Sequence, residues 1–181
     1  MTVPYVQGSY SVFPYKANHA EGHRVNAGMD LVAHPDLIAT IHEVKDFPEL
    51  QQMLLDLNQP QGLYRTLGVD VGRDDGGIWY GYLEVCGRTP TSVPHQVWEN
   101  LDTTFANFLS TQEGLHPQNR EAILQNLKME WRWVEIYGQS RQAVLSVFPC
   151  AASADYWIQL LGFWVRFLLS LATLERVPNH S

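Results

Sequence analysis

The sequence predicts an α+β fold, a four- or five-stranded, largely antiparallel sheet built from two hairpins with amphipathic helices packed on it. Three observations carry that expectation. Residues 63–86 and 129–148 are rich in β-branched and aromatic side chains on either side of a glycine-bearing turn, the pattern of hairpins. Residues 97–109 and 156–174 repeat apolar side chains every three or four positions, the period of helices buried on one side. These elements alternate as hairpin then helix, twice, which suits sheet neighbours joined by short turns with helices laid over them.

Taken in order, residues 1–36 form an N-terminal arm packed on the body, and residues 37–181 a single α+β domain. Within the arm, Tyr5 to Tyr15 has strand-like composition interrupted by Gly8 and Pro14, while Lys16 to Gly28 is polar and reads as loop. Leu37 to Val44 is β-branched and is expected to be a strand. Asp46-Phe47-Pro48-Glu49 marks a helix start, with an acidic cap and proline in the first turn. Phe47, Leu50, Met53, Leu54 and Leu57 then keep helical spacing until Asn58 to Gly62 ends it.

The first hairpin runs from Leu63 to Val71 and from Ile78 to Cys86. If Asp74-Asp75-Gly76 forms the loop with Gly76 left-handed, Val71 pairs with Trp79, Val69 with Gly81 and Leu67 with Leu83. One face then carries Leu67, Val69, Val71, Trp79, Leu83 and Val85. The other carries Thr66, Asp70, Tyr80, Tyr82 and Glu84.

Val97, Leu101, Phe105 and Leu109 define the next helix, stopped by Gly114 and Pro117, and Gln118 to Leu127 a shorter polar one. The second hairpin is Met129 to Tyr137 and Arg141 to Phe148. Trp131 and Trp133 project one way, Val134 and Ile136 the other, so these strands belong in the middle of the sheet, covered on both sides. Ser153 caps the last helix. Its stretch Tyr156 to Leu174 has bilayer-spanning length, but Arg166 inside a span would cost at least about 2.5 kcal/mol. Asp155, Gln159, Gly162, Arg166, Ser170 and Thr173 also fall on one stripe, which describes a helix buried in protein with one edge toward water.

Composition narrows the function classes. Hydrophobic residues make up 45% and charged ones 17%, enough apolar material for a core and too little charge for a disordered chain. Twelve Lys and Arg against nineteen Asp and Glu give a net charge of -7, the wrong sign for a phosphate backbone, so no nucleic-acid partner is expected. The start Met1-Thr2-Val3-Pro4-Tyr5 has no cationic, apolar leader pattern and there are only two cysteines. These features lead to the expectation of a cytoplasmic protein with reduced thiols and no membrane segment.

No GxSxG, P-loop, dinucleotide fingerprint, CxxC or HExxH is present, and no cofactor is expected. No motif makes the chain an enzyme and none excludes it. His19 and His23, with His34 or Asp30, have metal-ligand chemistry, but Gly22 opposes the helix that would align them, so no metal site is expected. His42 and Glu43, as strand neighbours, would face opposite ways. Asp70, Asp74 and Asp75 surround a turn, where Asp is favoured for its own sake.

The candidate binding residues are Asp70, Tyr80, Tyr82 and Glu84, two phenols and two carboxylates on one sheet face, together with Arg166. Arg166, the one full charge between Tyr156 and Leu174, needs water, an anionic ligand or a partner such as Glu84 or Glu135. Trp131, Trp133, Trp157 and Trp164 read as core anchors. The order of paired hairpins and a long C-terminal helix in a small acidic chain is similar to that of specialised secretion chaperones, an architectural likeness. With the absent catalytic motif, the very wide apolar face of Tyr156 to Leu174 and the acidic balance, it motivates the expectation of a cytoplasmic binding or adaptor protein, able to form a homodimer, that holds a protein partner through an aromatic and apolar surface of the sheet or last helix. The alternative is a small enzyme or small-ligand receptor with a pocket between sheet and helices, using Tyr80, Tyr82, Asp70 and His42. A third option is a protein that merely occludes another.

Overall fold

A computed structural model describes residues 2–7, 12–15, 28–139 and 141–174. The strands are β1 (Val12–Phe13), β2 (Tyr64–Arg73), β3 (Trp79–Gly87), β4 (Leu127–Ile136) and β5 (Arg141–Ala151). They form one mixed sheet in the order β1-β4-β5-β3-β2, antiparallel except where β1 runs parallel to β4. The helices are α1 (His42–Asp46), α2 (Pro48–Leu57), α3 (His95–Glu99), α4 (Leu101–Thr111), α5 (Pro117–Gln125) and α6 (Ala154–Leu174). The chain is an α+β protein, and both hairpins supply the antiparallel part of its sheet.

The fifth strand has a different source from the one expected. Residues 37–44 fold as a 3-10 turn, Pro35–Thr40, followed by α1. Pro35 presets the first turn, and the apolar spacing Leu37, Ile38, Ile41, Val44 suits a helical surface as well as a strand. The arm supplies the strand instead. Val12 and Phe13 pair with Glu135 and Ile136, and Tyr5 bridges Trp131, whose N–H donates to Pro4 O at 3.0 Å.

Period-2 alternation divides the sheet into two faces. Leu83, Val85, Leu145, Val147 and Trp131 face the helices and join the main core with Trp98, Phe105, Trp157 and Trp164. Burial of this much aromatic surface is the chief source of cohesion. The apolar side of α6 is consumed here: Trp157, Leu160, Leu161, Trp164, Phe167 and Leu168 are all buried. Its polar stripe emerges at Asp155, Gln159 and Arg166, while Gly162 is buried against the Met53 methyl of α2. Ser153 caps α6 as expected, its Oγ accepting the Tyr156 N–H at 3.2 Å. Among the described residues, no helix is long and apolar enough to cross a membrane.

The opposite face holds a smaller core of Phe13, Tyr15, Leu67, Cys86, Val134, Ile136 and Val144. Of the arm, Phe13 and Tyr15 belong to it. The first hairpin is offset by two residues from the expected register: Arg73 pairs with Trp79, Val71 with Gly81 and Val69 with Leu83. Its turn is longer, closed by Gly77 N–H to Asp74 O, and the left-handed residue is Gly77 rather than Gly76. An offset of two preserves which residues share a face. A bulge between Thr66 and Gly68 then turns Leu67 away from the helices into the smaller core. The same change of parity puts Thr66, expected on the face of Asp70 and Tyr82, on the helix side opposite Val85 instead, bonded to Asn58. Gly81 is required by close approach, since a Cβ there would lie 2.0 Å from Asp70 O.

Candidate functional site

β2 is an edge strand, and at its bulge the sheet opens into a cavity of about 180 Å³ between β2 and residues 28–43. A single water needs roughly 10–15 Å³ by the same measure, so the space suits a small molecule. Leu54, Thr66 and Val69 contribute from the helix side of the strand, and Tyr15, Leu67, Gly68 and Tyr82 from the arm side. Met29 and Leu31 come from the returning arm, and Thr40, Ile41, His42 and Glu43 from the start of α1. Thr40 and His42 are exposed at the mouth, whereas Glu43 is buried inside.

Because His42 and Glu43 open helix α1 rather than extending as a strand, they are not forced to opposite faces. Both line the cavity. Burial holds the Glu43 carboxyl above its ordinary range; its own backbone N–H and nearby His42 act the other way, and the Asp70 carboxylate reinforces the rise. The Tyr82 phenol is pushed up by burial and by the carboxylates of Glu84, Asp70 and Glu43, so it stays a neutral hydroxyl. Gly68 makes room for it. A Cβ at that position would sit 3.2 Å from the Tyr82 ring.

Glu84, on the same sheet face, has a structural assignment. Arg132 forms a buried ion pair with it, Ser146 Oγ donates to Oε1 at 3.1 Å, and the Tyr15 hydroxyl donates to Oε2 at 2.8 Å. Arg132 in turn donates to Ser146 Oγ at 2.9 Å and Tyr15 Oη at 3.2 Å. The network nails the arm to the middle of the sheet. A second tether lies nearby: Asp30 Oδ2 accepts from Tyr137 Oη at 2.9 Å and faces Arg65 at 3.8 Å.

The sequence-predicted residues therefore separate. Tyr82 lines the cavity, with Asp70 paired across from it on β2 and electrostatically coupled to Glu43. Tyr80, one step farther along β3, is outside the cavity and 47% exposed. Arg166 projects from α6, on the helix side of the sheet, with its guanidinium over the Phe163 ring at 4.7 Å. The expected pairing of Arg166 with Glu84 does not form, because that carboxylate lies on the other face and holds Arg132. Asp74 serves the turn, accepting the Ile78 N–H at 2.8 Å. His19 and His23 lie outside the described residues.

Tyr15, Arg132 and Ser146 were not singled out from sequence. Arg132 left a signal, a full charge between two tryptophans in a strand expected to be covered on both faces. Tyr15 left none, since its role arises when the arm folds back over residues remote in the chain. No protein-family model, curated protein or solved structure matches the chain.

Proposed function

We propose that this chain is a binding protein that takes a small, largely apolar molecule in the cavity beside β2. The observation that carries the reading is the composition of the cavity wall: Leu54, Val69 and Met29 give apolar surface, while Tyr82, Tyr15, Thr66 and Glu43 place a few polar groups within it. Natural ligand pockets have this character, mostly apolar with sparse orienting groups. Three methionines lie within the described residues, and one suffices as a reporter. Met29 lines the cavity, Met53 packs on Gly162 and Met129 sits at the Trp164 indole N–H.

Methyl NMR of 13C-methionine protein against a fragment panel tests the proposal. The expected result is ligands that shift Met29 and leave Met129 in place, with Thr40→Trp, which fills the mouth, abolishing the response. A panel that never moves Met29, or moves it equally in Thr40→Trp, overturns the reading.

A second reading rests on Tyr80. It shares the arm-side face of the sheet with Tyr82 and half-buried Phe148, whose rings are 6.3 Å apart, with exposed Cys150 paired opposite Tyr80. Such a strip of tyrosine and phenylalanine with polar tips suits a protein partner or a second copy of the chain. With α6 spent on the core, this sheet surface is the remaining place for the adaptor role. A photo-crosslinker at Tyr80 should then capture one defined partner that the same group at Leu124 does not. Equal labelling from both positions would count against it.

A further inference from the structure

Resting on the Tyr80 surface reading, we propose that the sheet face around Asp70 docks an extended, basic segment of a protein partner. An arginine or lysine of that segment sits at the Asp70 carboxylate, between the rings of Tyr80 and Tyr82. The edge strand builds the site. On this face β2 presents Gly68, Asp70 and Gly72 in turn, so one carboxylate stands between two stretches of bare backbone. Tyrosines of β3 cover the bare positions. A Cβ at Gly72 would lie 2.9 Å from Tyr80 Cζ, and one at Gly68 would lie 3.2 Å from Tyr82 Cε2. Tyr82, paired across from Asp70, thus leans toward Gly68, whereas Tyr80 lies over Gly72 and is exposed. The two rings bracket Asp70 along about 13 Å of strand, the rise from Gly68 to Gly72.

Charge decides what fits there. Among the described residues, no ion pair or hydrogen bond engages the Asp70 carboxylate. The cations nearby serve other groups. Arg132 is bound to Glu84, Arg65 faces Asp30, and Arg73, on the opposite face, donates to Gly77 O and lies over the Trp79 ring. Lys128 shares the face but pairs with Phe148, three strands from β2. An acidic side chain at Asp70 would meet repulsion, and a neutral one would leave the carboxylate uncompensated. An arginine or lysine gains a charge-assisted hydrogen bond and aromatic ring faces. The net charge of -7 favours a basic partner over a second copy of the same chain. An extended form follows from position: β2 ends the sheet, and Asp70 to Arg73 lie past the residues that line the cavity. A strand added there places one side chain opposite Asp70, with the two Cβ atoms about 5 Å apart.

The test uses dye-labelled peptides of sequence Thr-Val-Arg-Val-Thr, with citrulline or glutamate replacing the arginine, titrated against the full chain by fluorescence polarisation. The arginine peptide is expected to bind at least about tenfold tighter than the citrulline peptide, one decade of affinity for one charge contact. The glutamate peptide should not bind. Asp70→Asn should bring the arginine and citrulline peptides to within about threefold of each other. Glu113→Gln makes the same charge change at an exposed position just past α4 and should keep the full gap. Equal binding of arginine and citrulline peptides, a gap that survives Asp70→Asn, or one lost equally in Glu113→Gln overturns the basic-segment assignment, while crosslinking from Tyr80 still reports whether the face is used. A dimer of the chain alone that Tyr80→Ala dissolves assigns the face to a second copy and overturns it too. Silence from all three peptides also overturns it, and equal labelling from Tyr80 and Leu124 would then remove the surface reading itself.

Discussion

Replacing Arg132 with methionine tests the buried network most sharply. Arg132 and Glu84 side chains are 9% and 6% exposed, so the pair is shielded on both sides. Removing one partner of such a pair costs about 3–5 kcal/mol, because the other charge is left buried. Here Glu84 keeps the hydroxyls of Tyr15 and Ser146, which places the expected loss near the lower bound, about 3 kcal/mol. With a urea m-value of about 2 kcal/mol/M for a chain of this size, the unfolding midpoint should fall by about 1.5 M. Glu84→Gln should cost a similar amount, and the double variant should be no worse than either single one, a coupling of about 2–3 kcal/mol. Equilibrium urea unfolding followed by tryptophan fluorescence gives all four values. A loss under about 1 kcal/mol for Arg132→Met, or single losses that add within about 0.5 kcal/mol, would refute the claim that these groups stabilise the fold as a pair.

Other expectations follow from single positions. Gly81→Ala should destabilise by more than about 2 kcal/mol in the same unfolding assay, since its Cβ would overlap Asp70 O and force β2 from β3; a near-neutral result would contradict the register. Cys150 is exposed, while the Cys86 thiol is pushed up to about 12 by burial, so a thiol reagent near pH 8 should label one site quickly and Cys150→Ser should remove that phase; two fast thiols would contradict the placement. For Asp30, burial works against the carboxylate, but the Ala33 and Val32 amides, the Tyr137 hydroxyl and Arg65 outweigh it and hold its pKa below the ordinary range. A depressed folded-state pKa means the arm tether contributes fully above the unfolded value, about 3.9, and is lost as pH falls through the folded one. The stability gap between wild type and Asp30→Asn should therefore shrink from about pH 6 toward about pH 3, and a gap that widens would reverse the sign.

Much of the architecture was legible because it rests on side-chain period. The alternation around Trp131 and Val134 and the helical spacing from Val97 to Leu109 each report which side is buried, a local property. Even a two-residue error in the first hairpin kept Tyr80, Tyr82, Glu84 and Asp70 on one face, since the side-chain period is also two. Leu67 escaped that logic because a bulge changes parity midway along a strand. Residues 37–44 escaped it because eight residues with Ile38, Ile41 and Val44 satisfy either period; the outcome depends on packing α1 beside β2. The helix from Val97 onward is divided at Asn100 into α3 and α4, which the continuous apolar face conceals.

The site was legible only as a set of candidates. Shared parity shows that Tyr82 and Glu84 point the same way, but not that Glu84 is locked by Arg132 while Tyr82 borders open space. That distinction comes from contacts spanning 48 and 69 residues, Glu84 with Arg132 and with Tyr15. The participation of Glu43 depended on α1 being helical.

The most direct measurement is a crystal structure of the full chain grown with a fragment that shifts the Met29 methyl. Electron density for the fragment is expected beside β2, with its apolar part against Leu54 and Val69. Density at another site with the cavity vacant, or a cavity closed by collapse of residues 28–43 onto β2, would contradict it.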